Sequence, residues 1–314
     1  MKALVFTEAG VVKLLERQEP VVGADETLVA VRSSAICGSE LHGFQSVGFR
    51  TPPLIMGHEF AGTTPDGRRV VINPLLSCGH CERCLSGQPE LCSARALVGV
   101  NRDGGFAERV TVPTSSLRDL PDTVRWSEAA LIEPVANAVH AVAHVGADAR
   151  RVGVIGAGTI GLVCALVARA GGAEVEIADV AEHRRSVAAG LGFGATAELE
   201  GRFDGVIDAV GLPLSRQAAV DRCRSGGTAV WIGLAADAVE LSGNALVRSE
   251  KKIVGSFAYS REEFDHAIEL AASLDLSWGT AVPLSSSEDV FYALASGDTS
   301  MVKAVIVPDA EVAE

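Results

Sequence analysis

Residues 78–92 read Cys-Gly-His-Cys-Glu-Arg-Cys-Leu-Ser-Gly-Gln-Pro-Glu-Leu-Cys, so four of the chain's seven cysteines fall within fifteen residues. Two residues separate Cys78 from Cys81 and Cys81 from Cys84, and Cys92 follows after seven more. The short gaps turn consecutive sulfurs toward one point, and the longer gap lets the chain return with a fourth. Four thiolates around one centre make the closed tetrahedral site of a structural Zn²⁺. Two other readings compete. Disulfides are awkward at two-residue gaps, and nothing else in the chain suggests an oxidising compartment. An iron–sulfur cluster uses similar spacings. Zinc fits best. A site with four protein ligands has no opening for a substrate, so this stretch holds a lobe together and the chemistry must lie elsewhere.

The chain's 314 residues suit two domains with ample core. The net charge of −13 argues against nucleic acid as a partner, and so against a DNA-binding zinc ribbon. Met1–Glu8 lacks the apolar core of a signal peptide, and a reducing cytoplasm suits a thiolate site. Val152–Ala168 is a 17-residue run without charge, formally long enough to raise a membrane span. Its glycines and threonine, with a turn inside it, favour a strand–turn–helix, and no membrane is expected as a partner.

Residues 1–122 are expected to be β-rich, with strands at Lys2–Thr7, Thr27–Ser33, Arg69–Asn73 and Ala107–Val112. A helix is expected over Ser127–His144, with Ser127 as its N-cap and Pro134 starting or kinking a turn. From Arg151 the texture alternates. Strands Val152–Ile155, Glu174–Ala178, Gly205–Ala209, Ala229–Ile232 and Ile253–Phe257 are interleaved with helices Thr159–Ala170, Ala181–Ala189, Leu214–Cys223 and Arg261–Ser273. Such alternation with short links implies an α/β fold with a doubly wound parallel sheet. Glu288–Ala295 and Met301–Val307 read as a last helix and strand.

Within the first βα turn, Gly156, Gly158 and Gly161 form G-x-G-x-x-G between a predicted strand and a predicted helix, which is the context that makes the pattern a dinucleotide site. Thr159 and Ile160 lie inside it. The helix N-terminus offers free N–H groups and partial positive charge to a pyrophosphate. Asp179 stands eighteen residues beyond Gly161, at the end of the next strand, where a carboxylate accepts the ribose hydroxyls and repels a 2′-phosphate. NAD(H) is therefore favoured over NADP(H). Arg184 and Arg185 could soften that preference or simply form a solvated helix face.

In the β-rich half, Cys37-Gly-Ser39-Glu40-Leu-His42 and Gly57-His58-Glu59 carry soft and borderline ligands of the kind zinc prefers. Glu133 follows in Leu131-Ile-Glu-Pro134. Spacing alone does not bring Cys37, His58 and Glu133 together.

These motifs, with the four-cysteine lobe, Glu133-Pro-Val-Ala-Asn-Ala-Val-His140, the glycine motif, Val206–Gly211 and Ile232-Gly233-Leu234, resemble the zinc-dependent medium-chain alcohol dehydrogenase/reductase family. The sorbitol- and threonine-dehydrogenase-like branch is nearest, and the resemblance covers essentially the whole chain. It implies a GroES-like catalytic domain at 1–122 and 286–314, with the zinc lobe at 78–92, and a Rossmann NAD-binding domain at 123–285. It also implies two zinc ions per chain, a catalytic one on Cys37, His58 and Glu133 and a structural one on Cys78, Cys81, Cys84 and Cys92. Glu59 is implied beside the catalytic ion as a supporting or alternate ligand. Ser39 would hand the alcohol proton onward and His42 would pass it toward solvent. Val210 and Ile232–Leu234 would flank the nicotinamide, and Lys303 would lie near the pyrophosphate.

The implied reaction is hydride transfer between a secondary alcohol or ketone (polyol, cyclitol, sugar-like alcohol or amino alcohol) and NAD. A zinc-free enone or quinone reductase of the same superfamily, or a non-catalytic NAD-binding relative, is the alternative. Relatives of this kind are homodimers or homotetramers. The sequence departs from the pattern at Glu40, where an Asp is usual, in a short connection between Phe60 and Arg69, and near Ala258, where polyol-oxidising relatives tend to carry an arginine. Phe44, Phe49, Val100, Asn101, Asn137 and Tyr259 are candidate substrate-pocket residues.

Overall fold

The computed structural model describes residues 1–309. The end of the expected C-terminal segment, 310–314, lies outside the described residues. The chain divides into two compact units. The first comprises Met1–Glu133, Ser260–Ala272 and the residues from Leu276 onward, and the second comprises Pro134–Tyr259 with Ser273–Asp275. The first unit is thus larger than the expected 1–122 plus 286–314. Side-chain bonds explain the difference. Arg69 donates to the carbonyls of Asp122 and Val124, the guanidinium groups of Arg32 and Arg69 lie over the Trp126 ring, and Arg118 Nε is 2.7 Å from Asp265 Oδ1 on the helix Arg261–Ala271.

The first unit is built around the ten-residue strand Glu26–Ala35, whose last three residues are all buried. It pairs antiparallel with Arg109–Pro113, Glu59–Thr63 and Ala304–Val307, and the seven-stranded sheet continues through Arg69–Ile72, Leu117–Asp119 and Thr280–Pro283. Ala304–Val307, buried along its whole length, pairs parallel with Thr280–Pro283, so the end of the chain completes a sheet begun near residue 26. Ala35 pairs with Glu59 on one side and with Val305 on the other. That register brings Cys37, Glu59 and Lys303, remote in sequence, to one end of three adjacent strands. A separate three-stranded sheet, Val11–Glu16, Lys2–Glu8 and Leu54–Ile55, carries the apolar core of Leu4, Phe6, Ile55, Met56 and Phe106.

The second unit is a six-stranded parallel sheet in the order Gly194–Thr196, Glu174–Ala178, Arg151–Ile155, Phe203–Asp208, Cys223–Trp231, Lys252–Gly255. The chain reverses its direction of winding between Arg151–Ile155 and Phe203–Asp208, and in open α/β sheets the ligand crevice lies at that switch point. Thr159–Ala170 forms as expected, and all eight residues from Gly161 to Ala168 are buried. Eight apolar or small residues in a row leave this helix stable only when covered, which explains why the uncharged run at 152–168 is a core segment. No helix among the described residues is long and apolar enough to cross a membrane.

The expected helix over Ser127–His144 is two helices, Trp126–Ala129 and Ile132–Ala143. Ser127 lies inside the first, whose N-cap is Arg125, so Ser127 is not a cap. Pro134 falls in the first turn of the second helix, where its missing N–H has no intrahelical partner to lose. The helix Arg261–Ala271 starts on a reciprocal cap: Ser260 Oγ accepts from the Glu263 N–H at 3.2 Å, and Glu263 accepts from the Ser260 N–H at 2.7 Å.

Candidate active site and dinucleotide site

Cys37, His58 and Glu59 present ligand atoms that all lie within 4.8 Å of one another. Each comes from a strand end. Cys37 follows Glu26–Ala35, while His58 and Glu59 sit where the chain enters Glu59–Thr63. Gly57 makes that entry possible, because its φ of +94° is in the left-handed region and a Cβ there would lie 2.5 Å from the Phe106 ring. One thiolate, one imidazole and one carboxylate converging in a buried site are the donor set that zinc takes. Glu59 is the carboxylate of this group, and Glu133 is also buried, as the second residue of Ile132–Ala143.

Two charged groups organise this cluster. Glu40, fully buried, accepts from the Cys37 N–H at 2.8 Å and the Gly57 N–H at 3.1 Å, and its Oε1 lies 2.8 Å from His58 Nδ1. The longer side chain in place of Asp therefore still reaches the histidine. Lys303, 4% exposed, places Nζ 2.5 Å from Glu59 Oε2. Lys303 thus lies at the ligand cluster, with its ammonium committed to Glu59. Burial pushes the Glu59 carboxyl up to about 8 against the pull of Lys303. Burial alone would raise the Cys37 thiol, but the charge of His58, its hydrogen bond and then Lys303 bring it down to about 6. A thiol already inclined to ionise binds a metal with little proton cost.

Ser39 and His42 lie on the helix Gly38–Gly43, both exposed and three residues apart on one face, while Glu40 points inward. Ser39 Oγ accepts from Arg50 Nη2 at 3.3 Å, and its carbonyl accepts from Nη1 at 2.9 Å. Arg50 is a residue that sequence reading missed, since a charged side chain in a polar loop gives no sign that it is buried.

In the lobe, the sulfur separations are 3.8 Å for Cys78–Cys84, 3.5 Å for Cys81–Cys84 and 3.6 Å for Cys92–Cys78. Sulfurs tetrahedrally placed at about 2.3 Å from zinc are about 3.8 Å apart, whereas a disulfide needs about 2.05 Å. The four thiols are free and already near the geometry of a zinc tetrahedron.

In the second unit the glycine turn is a cradle. A Cβ at Gly161 would lie 1.7 Å from the Gly156 carbonyl oxygen, so only glycine lets the helix start this close to the strand. Above Gly158 the space is open, its nearest atom being Arg184 Nη1 at 4.0 Å. Thr159 and Ile160 open the helix, half-buried beside that space. Asp179, at the end of Glu174–Ala178, accepts from the Ala157 N–H and the Ala181 N–H, each at 2.8 Å. Arg184 Nη1 lies 3.7 Å from the same carboxylate. Val210, Ile232 and Gly233 belong to two crossing loops, tied by Asp208, which accepts from the N–H groups of Val210, Gly211 and Gly233 through side chain and carbonyl. Leu234 is 79% exposed at the end of the second loop.

Several expected pocket residues are placed otherwise. Phe44 belongs to the core, edge-on to Phe291 at 5.2 Å and to Tyr292 at 6.2 Å, and Val100 is buried. Asn101 folds its side chain onto the Leu97 N–H at 2.9 Å, which makes it a turn residue. Phe49 is 61% exposed, Asn137 is half-buried on Ile132–Ala143, and Tyr259 is buried.

Comparison with known proteins gives the family. A family model of the alcohol dehydrogenase GroES-like domain matches residues 23–122, and one of zinc-binding dehydrogenases matches 159–273. L-galactonate-5-dehydrogenase of Escherichia coli (strain K12) is 33% identical across 79% of this chain and 81% of its own length. L-threonine 3-dehydrogenase of Rhizobium etli (strain CIAT 652) is 32% identical across 96% and 97%. A protein of Sinorhizobium meliloti 1021, solved bound to NADP, superposes with a TM-score of 0.90 at 28% identity, covering 98% of this chain and 99% of its own. The fold and site define a zinc-binding dehydrogenase. The chain belongs to the zinc-dependent medium-chain alcohol dehydrogenase/reductase family, in its sorbitol- and threonine-dehydrogenase-like branch, and it is an alcohol dehydrogenase.

Proposed function

We propose that this dehydrogenase moves a hydride between the secondary alcohol of a polyol, cyclitol, sugar-like alcohol or amino alcohol and NAD, with a catalytic zinc held by Cys37, His58 and a carboxylate, Glu133 or Glu59, and a structural zinc in the Cys78–Cys92 lobe. The observation that carries the reading is the convergence of Cys37, His58 and Glu59 donors within 4.8 Å in a buried site. Glu133 is the carboxylate that exchanges with Glu59. The names of two relatives, for L-galactonate and L-threonine, support a polar substrate with a secondary hydroxyl.

When bound, zinc polarises the substrate oxygen and the nicotinamide exchanges the hydride. The chain's own residues do the rest. Ser39 accepts the proton of the alcohol, and the exposed His42 on the same helix face carries it to solvent, so no strong base is needed beside the metal. Glu40 fixes the ring of His58, and Lys303 balances the charge of Glu59. Asp179 supports NAD, because each carboxylate oxygen that accepts one backbone N–H retains a lone pair for a ribose hydroxyl. Gly156, Gly158 and Gly161 take the pyrophosphate, with Arg184 beside it. A cytoplasmic dimer or tetramer suits the thiolate site and the resemblance.

Metal analysis tests the reading: about two zinc ions per chain is the expected result, and one or none sinks it. A screen of polyols, amino alcohols and cyclitols at high pH, followed by NADH absorbance, names the substrate. Asp179→Ser is expected to relax discrimination against NADP⁺, and an unchanged preference refutes the role given to Asp179.

A further inference from the structure

Arg50 has no exposed surface; its charge acts on the buried Glu40 carboxylate, but no salt bridge within 4.0 Å ties it to a carboxylate among the described residues. A buried charge without a directly paired carboxylate is costly, so where its hydrogen bonds go matters. Its fork is aimed at one residue. Nη1 donates to the Ser39 carbonyl at 2.9 Å and Nη2 to the Ser39 hydroxyl oxygen at 3.3 Å, while Nε has no partner. The fit is built: a Cβ at Gly43 would lie 2.4 Å from Nη1, so glycine there makes room for the guanidinium, and the Phe49 ring stands 5.2 Å from it.

The chemistry of a hydroxyl gives this arrangement a use. Ser39 Oγ has two acceptor lobes and one proton. Arg50 can only donate, so it fills one lobe and sets the direction of the rest. The other lobe and the O–H are left for the exposed side of the helix, where one must receive a proton and the other give one. A serine held at both its carbonyl and its hydroxyl has lost the rotamer freedom that a relay cannot use.

We propose that Arg50 is the positioning residue of the Ser39 proton relay, its guanidinium holding the serine hydroxyl with one acceptor lobe and its proton directed to the reacting oxygen and onward. This rests on the reading of Ser39 as a relay. It assigns Arg50 no contact with substrate or cofactor.

The test uses the zinc-loaded enzyme with its best alcohol substrate and four variants: Ser39→Ala, Arg50→Met, Arg50→Lys and the double variant Arg50→Met with Ser39→Ala. Arg50→Met is expected to lower kcat roughly tenfold to a hundredfold, within the range of a proton-transfer contribution, with KM for alcohol and NAD and the zinc content nearly unchanged. Arg50→Lys, which keeps one donor, is expected to recover part of the loss. The double variant is expected to be no slower than Ser39→Ala alone, because Arg50 acts only through Ser39. Full kcat in Arg50→Met beside an impaired Ser39→Ala overturns the proposal, as does a double variant whose losses multiply or an Arg50→Lys no better than Arg50→Met. Full kcat in Ser39→Ala overturns the relay reading itself. If Arg50→Met does not fold, Arg50→Gln takes its place in the same cycle.

Discussion

His58 Nδ1 lies 2.8 Å from Oε1 of Glu40, a carboxylate with no exposed surface. The same carboxylate accepts from the N–H groups of Cys37 and Gly57. One side chain therefore fixes the backbone of two ligand-bearing segments and the ring of the histidine between them. With Nδ1–H given to Glu40, the other ring nitrogen is the one presented to a metal, and it is made more basic by the carboxylate.

Glu40→Gln keeps the size and removes the charge. Zinc affinity at the Cys37–His58–Glu59 site is expected to fall about 10- to 100-fold. Competition against a chelator reads this directly, and the four-cysteine lobe in the same molecule serves as the internal control. Unchanged affinity at both sites would show that Glu40 serves the backbone alone.

Thiol reactivity should report the two metal sites in zinc-stripped protein. Hydrogen bonds from the backbone of His80 and Cys81 bring Cys78 down to about 6, and Cys37 is held at about 6 by His58 in spite of its burial. The thiolate is the nucleophile, so alkylation of both rises through about pH 6 as pH increases and is lost below it. Burial pushes Cys164 up to about 12 and Cys223 up to about 11, and both should stay unmodified at neutral pH. Peptide mapping after iodoacetamide treatment gives the order, and added zinc should protect Cys37 and Cys78. Equal labelling of Cys37 and Cys164 at pH 7 would contradict it.

How much of this was legible in the sequence depended on whether the physics was local. The strand, glycine turn and helix from Arg151 to Ala170 are contiguous, so their pattern was readable without the fold. The lobe was readable for the same reason. The metal cluster was legible through the resemblance and not through spacing, and the place of Lys303 was not legible at all: it reaches Glu59 only because Ala304–Val307 and Glu59–Thr63 flank the same strand. In the sequence alone, aromatic and amide side chains such as Phe44 and Asn101 have the chemistry of pocket residues. Direction decides, and Phe44 turns to Phe291 while Asn101 turns to its own loop. Arg50 was invisible because its burial is created by Gly43 and the short helix above it.

Gly57 offers a test of how the backbone aims His58. Its φ is +94°, and an added Cβ would sit 2.5 Å from Phe106 Cδ1 and 2.8 Å from the Phe106 backbone nitrogen. The left-handed backbone costs an L-residue about 1–2 kcal/mol, and overpacking adds about 1–3 kcal/mol. Gly57→Ala is thus expected to lose at least about 2 kcal/mol in chemical denaturation and to bind catalytic zinc poorly. A variant as stable as the parent would mean that the turn relaxes, leaving His58 where it is.

The lobe and the catalytic cluster should be separable by losing one zinc at a time. Cys92 has no exposed surface and its sulfur lies 3.6 Å from Cys78, so Cys92→Ser removes a ligand without adding bulk. The remaining sulfurs cannot close a tetrahedron, and a structural zinc site contributes its binding energy to folding. One of two zinc ions is expected to be lost, with a destabilisation of at least about 1 kcal/mol, which lowers Tm by about 2–4 °C in domains of this size. Cys37→Ser is expected to do the reverse, removing the other zinc with activity and leaving the lobe's thermal transition in place. Metal content, a thermal melt and NADH formation on the two variants separate these outcomes. If Cys92→Ser abolished turnover as completely as Cys37→Ser while keeping one zinc, the lobe would have to act on the catalytic cluster itself, and its assignment as a holder of structure alone would fail.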